Sequence, residues 1–360
     1  MKLKPPKYLT NPVGAENYIS LPLQRPLYEP DNGATPWYTD AIGIGTPSQK
    51  NIRFMIDTGT KNTWVTSTLC TTDACAPHNK FNAENSTSYQ SNGSAEQINF
   101  GAWGSMTINP STDVLIFPKE TPLAVDFDLS TNYNGSQFKE LIADGGIGIP
   151  SHMPTVMPSS TLVLNLLQQK KIIEYTIASF WYNRKEQVGE VVFGGINFSM
   201  LDENTINVVN TLDFPSDKEC WLINLQSMNG LFHDGSSENM LTNVAFALDT
   251  GSSQFKGDPD FINACKKVIT KNGTYPEKII APATVNDYPY PTLELVINGV
   301  AYLLPPEKYF IQVSETEWHL AFHFLDDCEN EFLVGTTFLE TVCTTFDFDN
   351  KYIVLAKPKF

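Results

Sequence analysis

Residues 54–64 read "FMIDTGTKNTW" and residues 246–255 read "FALDTGSSQF". In both, an apolar run leads into Asp-Thr-Gly and then a hydroxyl residue, and the two aspartates, Asp57 and Asp249, stand 192 positions apart. The apolar run predicts a buried strand whose aspartate emerges beside the core, poorly hydrated. Burial raises the pKa of a lone carboxylate, and an unpaired charge there is costly. Gly59 and Gly251 let the chain turn sharply and leave backbone amides open to the carboxylate. Thr58 and Thr250 offer hydroxyls that can bond across to the opposite loop. Such a loop makes sense when two copies face each other and the aspartates share one site.

The repeat extends beyond the two phrases. "ADGGIGIP" places Gly148 at 91 positions after Asp57, and "FLVGTTF" places Gly335 at 86 positions after Asp249. At 360 residues the chain is too long for one ordinary core. Two duplicated lobes, residues 1–194 and 195–360, with a seam near "FGGIN" (Gly194, Gly195) account for the matched spacing. Most segments read as short strands separated by turns. "WYTDAIGIGTPSQKNIRFMIDTG" and "EQINFGAWGSMTI" are expected hairpins, the second with Gly101 and Gly104 at its tip. Two helices are expected. One follows Ser159 or Ser160 as N-cap in "SSTLVLNLLQQKKII"; the other follows Asp258 in "DPDFINACKKVIT", with Pro259 in its first turn. The fold class is mostly β, in two lobes related by a pseudo-twofold axis with a cleft between them.

Composition excludes several classes. The net charge of −16 disfavours nucleic acid and anionic membrane as partners, since both need a basic footprint. The acidic balance reads first as solubility, and it also limits self-repulsion when carboxylates protonate in acid. No apolar run approaches the length of a spanning helix, and prolines follow the opening lysines of "MKLKPPKYLT" where a signal peptide needs an apolar stretch. Cys70 and Cys75 can close a small loop, Cys265 reads as a buried thiol, and pairing among Cys220, Cys265, Cys328 and Cys343 stays open. Asn85, Asn92, Asn134, Asn197 and Asn272 begin Asn-x-Ser/Thr triplets, compatible with a secretory route or with chance.

Two carboxylates a few ångströms apart cannot easily both ionise, so one proton is shared and the pair is acid and base at once. One member takes a proton from a bound water while the other hydrogen-bonds the carbonyl under attack. That chemistry hydrolyses an amide with neither metal nor cofactor.

With these motifs the chain resembles a pepsin-like aspartic endopeptidase from about residue 36 to its C-terminus. "DAIGIGTPSQ", "FMIDTGTKNTWV", the Cys70–Cys75 loop, "FGAWGSM", "DGGIGI", "FALDTGS", "LVINGVAYLLPPEKY" and "FLVGTTF" arrive in that family's order. The resemblance implies a dyad of Asp57 and Asp249, and Thr58 and Thr250 interlocked beneath it. It implies Thr60 and Ser252 on the outer carboxylate oxygens, and Gly59, Gly251 and Ser253 against the substrate backbone. Trp64 takes the place of a tryptophan behind the flap, and Gly148 and Gly335 mark the loops that brace each aspartate strand. It also implies a polypeptide substrate, a monomer, and a secreted or acidic lumenal or periplasmic compartment. Phe100, Trp103 and Ile147 are candidate pocket lining, with apolar residues expected on both sides of the cut bond and an acid optimum.

Two departures accompany the resemblance. The flap tyrosine of the family is replaced by Phe100, next to Gly101, with one extra residue before "GSM"; Trp103 is expected to substitute in part through its indole N–H. About 35 residues precede "PWYTDAIG", and "YISLPLQRPLYEP" among them resembles the mature first strand, so little is left for an inhibitory prosegment.

Competing readings are weaker. "GIGTPS" lacks the helix a dinucleotide fingerprint needs. His319 and His323 are expected on one face of a single strand, yet without a third metal ligand. No Gly-x-Ser-x-Gly elbow occurs. A glycosidase needs two carboxyls in unlike environments, which a duplicated loop does not supply. A catalytically weak binding or inhibitor protein on the same fold would normally lose an aspartate or a glycine of the motif, and neither is lost.

Overall fold

A computed structural model of the chain describes residues 6–10, 17–29, 35–100, 103–213, 220–325 and 330–360. Among these residues the strands form four sheets. A nine-stranded sheet belongs to the first half, and seven- and three-stranded sheets belong to the second. The architecture is mostly β and bilobal, as the alternating segments predict.

Each half carries the same core motif. The strand Phe54–Asp57 lies parallel to Gly145–Gly148, which in turn runs antiparallel to Thr63–Thr66. In the second half, the end of Ser237–Leu248 lies parallel to Phe332–Val334, which runs antiparallel to Phe255–Gly257. The backbone carries each aspartate to the same place. The Ile149 amide donates to the Asp57 carbonyl at 2.8 Å, and the Asp249 amide donates to the Val334 carbonyl at 3.0 Å. Alternation along Gly145–Gly148 puts Ile147 into the main core, paired with Ile56 and fully buried. Its expected role in pocket lining is therefore corrected: the glycines on either side of it, not Ile147, share the face of Asp57.

The six-stranded sheet joins the halves. It runs Ile19–Leu23, Val188–Phe193, Ile177–Asn183, Cys343–Asp347, Tyr352–Ala356, Asn207–Asn210, so strands from both sides of residue 194 are hydrogen-bonded to one another. Buried Trp221 adds a link between the motifs, donating its indole N–H to the Ile149 carbonyl at 2.8 Å. Beside this sheet Arg25 bridges the buried carboxylates of Glu29 and Glu340, and Arg184 approaches both from the rim.

Both expected helices form, one of them with the expected cap. Pro259–Ile269 forms with Asp258 as its cap, the side chain accepting from the Asp260 amide. The other expected helix is confined to Val163–Gln169 and is not capped by Ser159 or Ser160. Ser159 Oγ instead donates to buried Asp128, and Ser160 Oγ accepts the Thr63 amide, because the strand beside them offers stronger partners than the helix end. "HLAFHF" is also not one strand. His319 lies in Glu317–Leu320 of the three-stranded sheet and bonds Glu317, while His323 lies in Phe322–Phe324 of the seven-stranded sheet. The break at Ala321 places the two histidines in different sheets, so their expected common face does not form. Cys70 and Cys75 are joined by a disulfide. Cys265 is buried against Met228, and Cys328 lies outside the described residues.

The entry to the Gly145–Gly148 strand is clamped by Asp144. Its carboxylate accepts from the Arg53 amide at 2.9 Å, the Arg53 guanidinium at 2.9 and 2.6 Å, and the amide and side chain of Asn79 at 2.8 and 3.0 Å. Burial pushes Asp144 up, but Arg53 and His78 outweigh it and bring the group down to about 2. A depressed carboxyl stabilises the fold fully above its ordinary range near 4 and loses that contribution only as pH falls through about 2. Asp144→Ala is expected to cost about 3 kcal/mol at neutral pH by stranding Arg53 and Asn79. Its deficit against the wild type should persist at pH 4 in denaturant unfolding; a deficit that vanishes by pH 5 contradicts the clamp.

Candidate active site

The two Asp-Thr-Gly loops meet and lock through their threonines. The Thr58 amide donates to Thr250 Oγ1 at 3.0 Å, and the Thr250 amide donates to Thr58 Oγ1 at 2.9 Å. Each hydroxyl then donates to a carbonyl of the opposite strand, Thr58 to Leu248 at 3.1 Å and Thr250 to Ile56. Both threonines are buried, so every polar atom of the exchange is satisfied without water.

Above this lock lie the aspartates. The Gly59 amide donates to Asp57 Oδ1 at 2.7 Å, and the Gly251 amide donates to Asp249 Oδ1 at 2.8 Å. The glycines also make room for the partner carboxyl. A Cβ on Gly251 would sit 2.3 Å from Asp57 Oδ1, and one on Gly59 would sit 2.7 Å from Asp249 Oδ1. The glycine of each loop thus lies against the carboxyl of the other. Burial, and next the charge of Asp249, hold Asp57 well above the usual carboxylate range, opposed by the Gly59 amide. The arrangement can therefore keep one proton between two carboxyls.

The outer contacts are not symmetric. Ser252 Oγ donates to Asp249 Oδ2 at 2.8 Å, as expected. Thr60 does not bond Asp57 among the described residues: its hydroxyl accepts the Asn62 amide at 3.2 Å, turning away into its own loop. Ser253 is fully buried, its carbonyl accepting the Thr337 amide at 2.8 Å. The turn that anchors the short helix Thr336–Leu339 draws Ser253 inward, so its expected contact with a substrate backbone is corrected. Gly148 and Gly335 brace the loops by close approach. A Cβ on Gly148 would meet the carbonyl of Thr60 at 2.7 Å, and one on Gly335 would meet that of Ser252 at 1.8 Å.

The strands Glu96–Asn99 and Ser105–Phe117 form the expected flap hairpin. Gly101 lies outside the described residues. Phe100 is half-buried and meets Trp64 edge-on at 6.2 Å, with Phe138 and Trp103 completing the cluster. The indole N–H of Trp64 is buried without a hydrogen-bond partner among the described residues. Trp103 does not relieve it, because an indole nitrogen only donates and Trp64 needs an acceptor. The expected substitution by Trp103 is thus corrected on chemical grounds. Asp128, missed in the sequence, is paired in register with Trp64, and burial pushes it up to about 6 against hydrogen bonds from Ser159, Ser160 and Asn62. Within "AVDFDLSTN" nothing distinguishes it from an exposed strand residue.

Phe100→Tyr is expected to supply the missing acceptor and stabilise the fold by about 1 kcal/mol in denaturant unfolding. A loss of stability would show that the hydroxyl cannot reach Trp64. Gly251→Ala should separate the carboxyls and leave a folded chain, read as a fall of Asp57 toward ordinary titration near 4. An unmoved Asp57 would contradict the close approach.

The family described as eukaryotic aspartyl protease matches residues 37–358. Pepsin A of Rhinolophus ferrumequinum is 30% identical over 329 residues, covering 89% of this chain and 80% of the relative. Cathepsin E-B of Xenopus laevis is 27% identical over 333 residues, covering 89% and 79%, and gastricsin of Callithrix jacchus is 26% identical over 340 residues, covering 91% and 83%. A match across nearly the whole chain, on a fold whose paired Asp-Thr-Gly loops interlock, places this protein in the eukaryotic aspartyl protease family, that of the pepsins.

Proposed function

We propose that the chain is an active endopeptidase that hydrolyses peptide bonds with a water held between Asp57 and Asp249. The single observation that carries this reading is the reciprocal fit of each glycine around the opposite carboxyl. With one proton on the pair, the unprotonated oxygen takes a proton from water as that water attacks the scissile carbonyl. The protonated carboxyl donates to the carbonyl oxygen as negative charge develops there. Collapse of the tetrahedral intermediate passes a proton to the leaving amine and restores the pair. Working pH is acid, because turnover needs one carboxyl protonated.

The substrate is extended polypeptide with apolar residues around the cut, received against Phe100 and Trp103 on the flap side. Residues 1–194 and 195–360 act as the two lobes of a monomer, in a secreted or acidic lumenal setting. No described helix is long and apolar enough to cross a membrane.

A digest of unfolded protein across pH, with and without a transition-state-like peptide inhibitor, tests the reading. Cuts between apolar residues at acid pH, blocked by the inhibitor, are expected. Asp57→Asn and Asp249→Asn should each lower kcat by at least about 1,000-fold with near-native unfolding curves. Retained turnover in either variant would remove that aspartate from the dyad.

A further inference from the structure

The 192-residue offset that sets Asp57 on Asp249 also sets Trp64 on Lys256. The sheet registers agree. Trp64 pairs with Gly146, and Gly146 with Met55 in the strand that ends at Asp57. Lys256 pairs with Leu333, and Leu333 with Ala247 in the strand that leads to Asp249. Alternation puts Ala247, Leu333 and Lys256 on the face that continues to Asp249. Phe255 points to the opposite face, stacked on Phe322 at 4.5 Å. Where the first half buries an indole, the second half buries an ammonium.

Lys256 is 3% exposed, and its Nζ has no hydrogen-bond partner among the described residues. Gln254, just before the strand Phe255–Gly257, is fully buried, with neither amide atom hydrogen-bonded among the described residues. An ammonium in such a place is costly unless an opposite charge offsets it. Burial brings Lys256 down to about 8, and the carboxylate of Asp249 acts the other way to keep its proton. The ammonium is therefore intact throughout the acid range.

Among the described residues, the other titratable groups beside this strand are His323, next to Lys256 in the parallel register, and, past the strand's end, Asp258 and Glu331, joined by a backbone hydrogen bond. The Asp258 carboxylate is engaged by the Asp260 and Asn330 amides. The helix Pro259–Ile269, with Asp260, Lys266 and Lys267, packs on the Phe255 face, where Phe261 meets Phe332 at 6.4 Å. Glu340, beyond Phe332–Val334, is held by Arg25.

We propose that Lys256 is a positioning residue of the dyad, its buried ammonium holding Asp249 as the carboxylate so that the shared proton resides on Asp57. The role depends on the dyad chemistry proposed above. It acts through charge alone, touches no reacting atom, and makes two chemically identical aspartates unequal before substrate arrives.

The pH profile of kcat/KM for wild type, Lys256→Met and Lys256→Arg tests this. A nearby cation favours the anionic forms of the dyad, so its removal makes both protons harder to lose. In Lys256→Met both limbs should move up by about one pH unit. Lys256→Arg should keep the wild-type profile, since it keeps the charge. A lysine with a merely structural role would change the melting temperature and lower kcat/KM evenly, leaving the limbs in place. Unmoved limbs in a folded Lys256→Met overturn the proposal, and Lys256→Gln replaces that variant if it does not fold. The carboxyl carbon shifts of 13C-labelled aspartate follow the same two steps without turnover. An inert wild type would thus contradict the endopeptidase reading alone, whereas identical carboxyl titrations in wild type and Lys256→Met would overturn the role of Lys256.

Discussion

The exchange of amide-to-hydroxyl hydrogen bonds between Thr58 and Thr250 is the constraint on which the site depends. Each loop supplies the acceptor that the other needs, so neither is satisfied alone in a buried position. The lock fixes the separation of the two strand ends and thereby the separation of the two carboxyls. Glycine is then required at both 59 and 251, since a methyl group on either would meet the carboxyl of the opposite half. Raised protonation at Asp57 follows from burial and from the neighbouring Asp249 charge. Proximity of like acids is costly, and the surrounding sheets are what sustain it.

Much of this was legible because the decisive features repeat. A phrase written twice, followed each time by a glycine at nearly the same delay, reports two halves of one site without any knowledge of contacts. The Asp258 cap and Pro259 likewise act within a few residues, and the helix appears where they predict it. What failed depended on partners distant in sequence. Ser159 and Ser160 look like helix caps until Asp128 and Thr63 compete for them. Ser253 looks like a cleft residue until the turn before Thr336–Leu339 draws it inward. His319 and His323 look like one strand until the chain passes from one sheet to another at Ala321. Ile147 was misplaced because a four-residue glycine-rich strand gives too little alternation to assign its faces.

The halves are symmetric in backbone and unequal in side chains. Ser252 bonds the outer oxygen of Asp249, while Thr60 at the matching position bonds its own loop. On the sheet face beside Asp57, Trp64 joins Phe100, Trp103 and Phe138 in an aromatic cluster, its N–H without a partner among the described residues. On the matching face beside Asp249, Lys256 contributes a buried ammonium with no hydrogen-bond partner among the described residues. Symmetry brings the two acids together, and these differences give each acid its own surroundings.

The most direct measurement is a high-resolution crystal structure at acid pH. One water is expected within about 3 Å of both Asp57 and Asp249, on the open side of the threonine lock. Two carboxyls facing separate waters, with none in common, would contradict it.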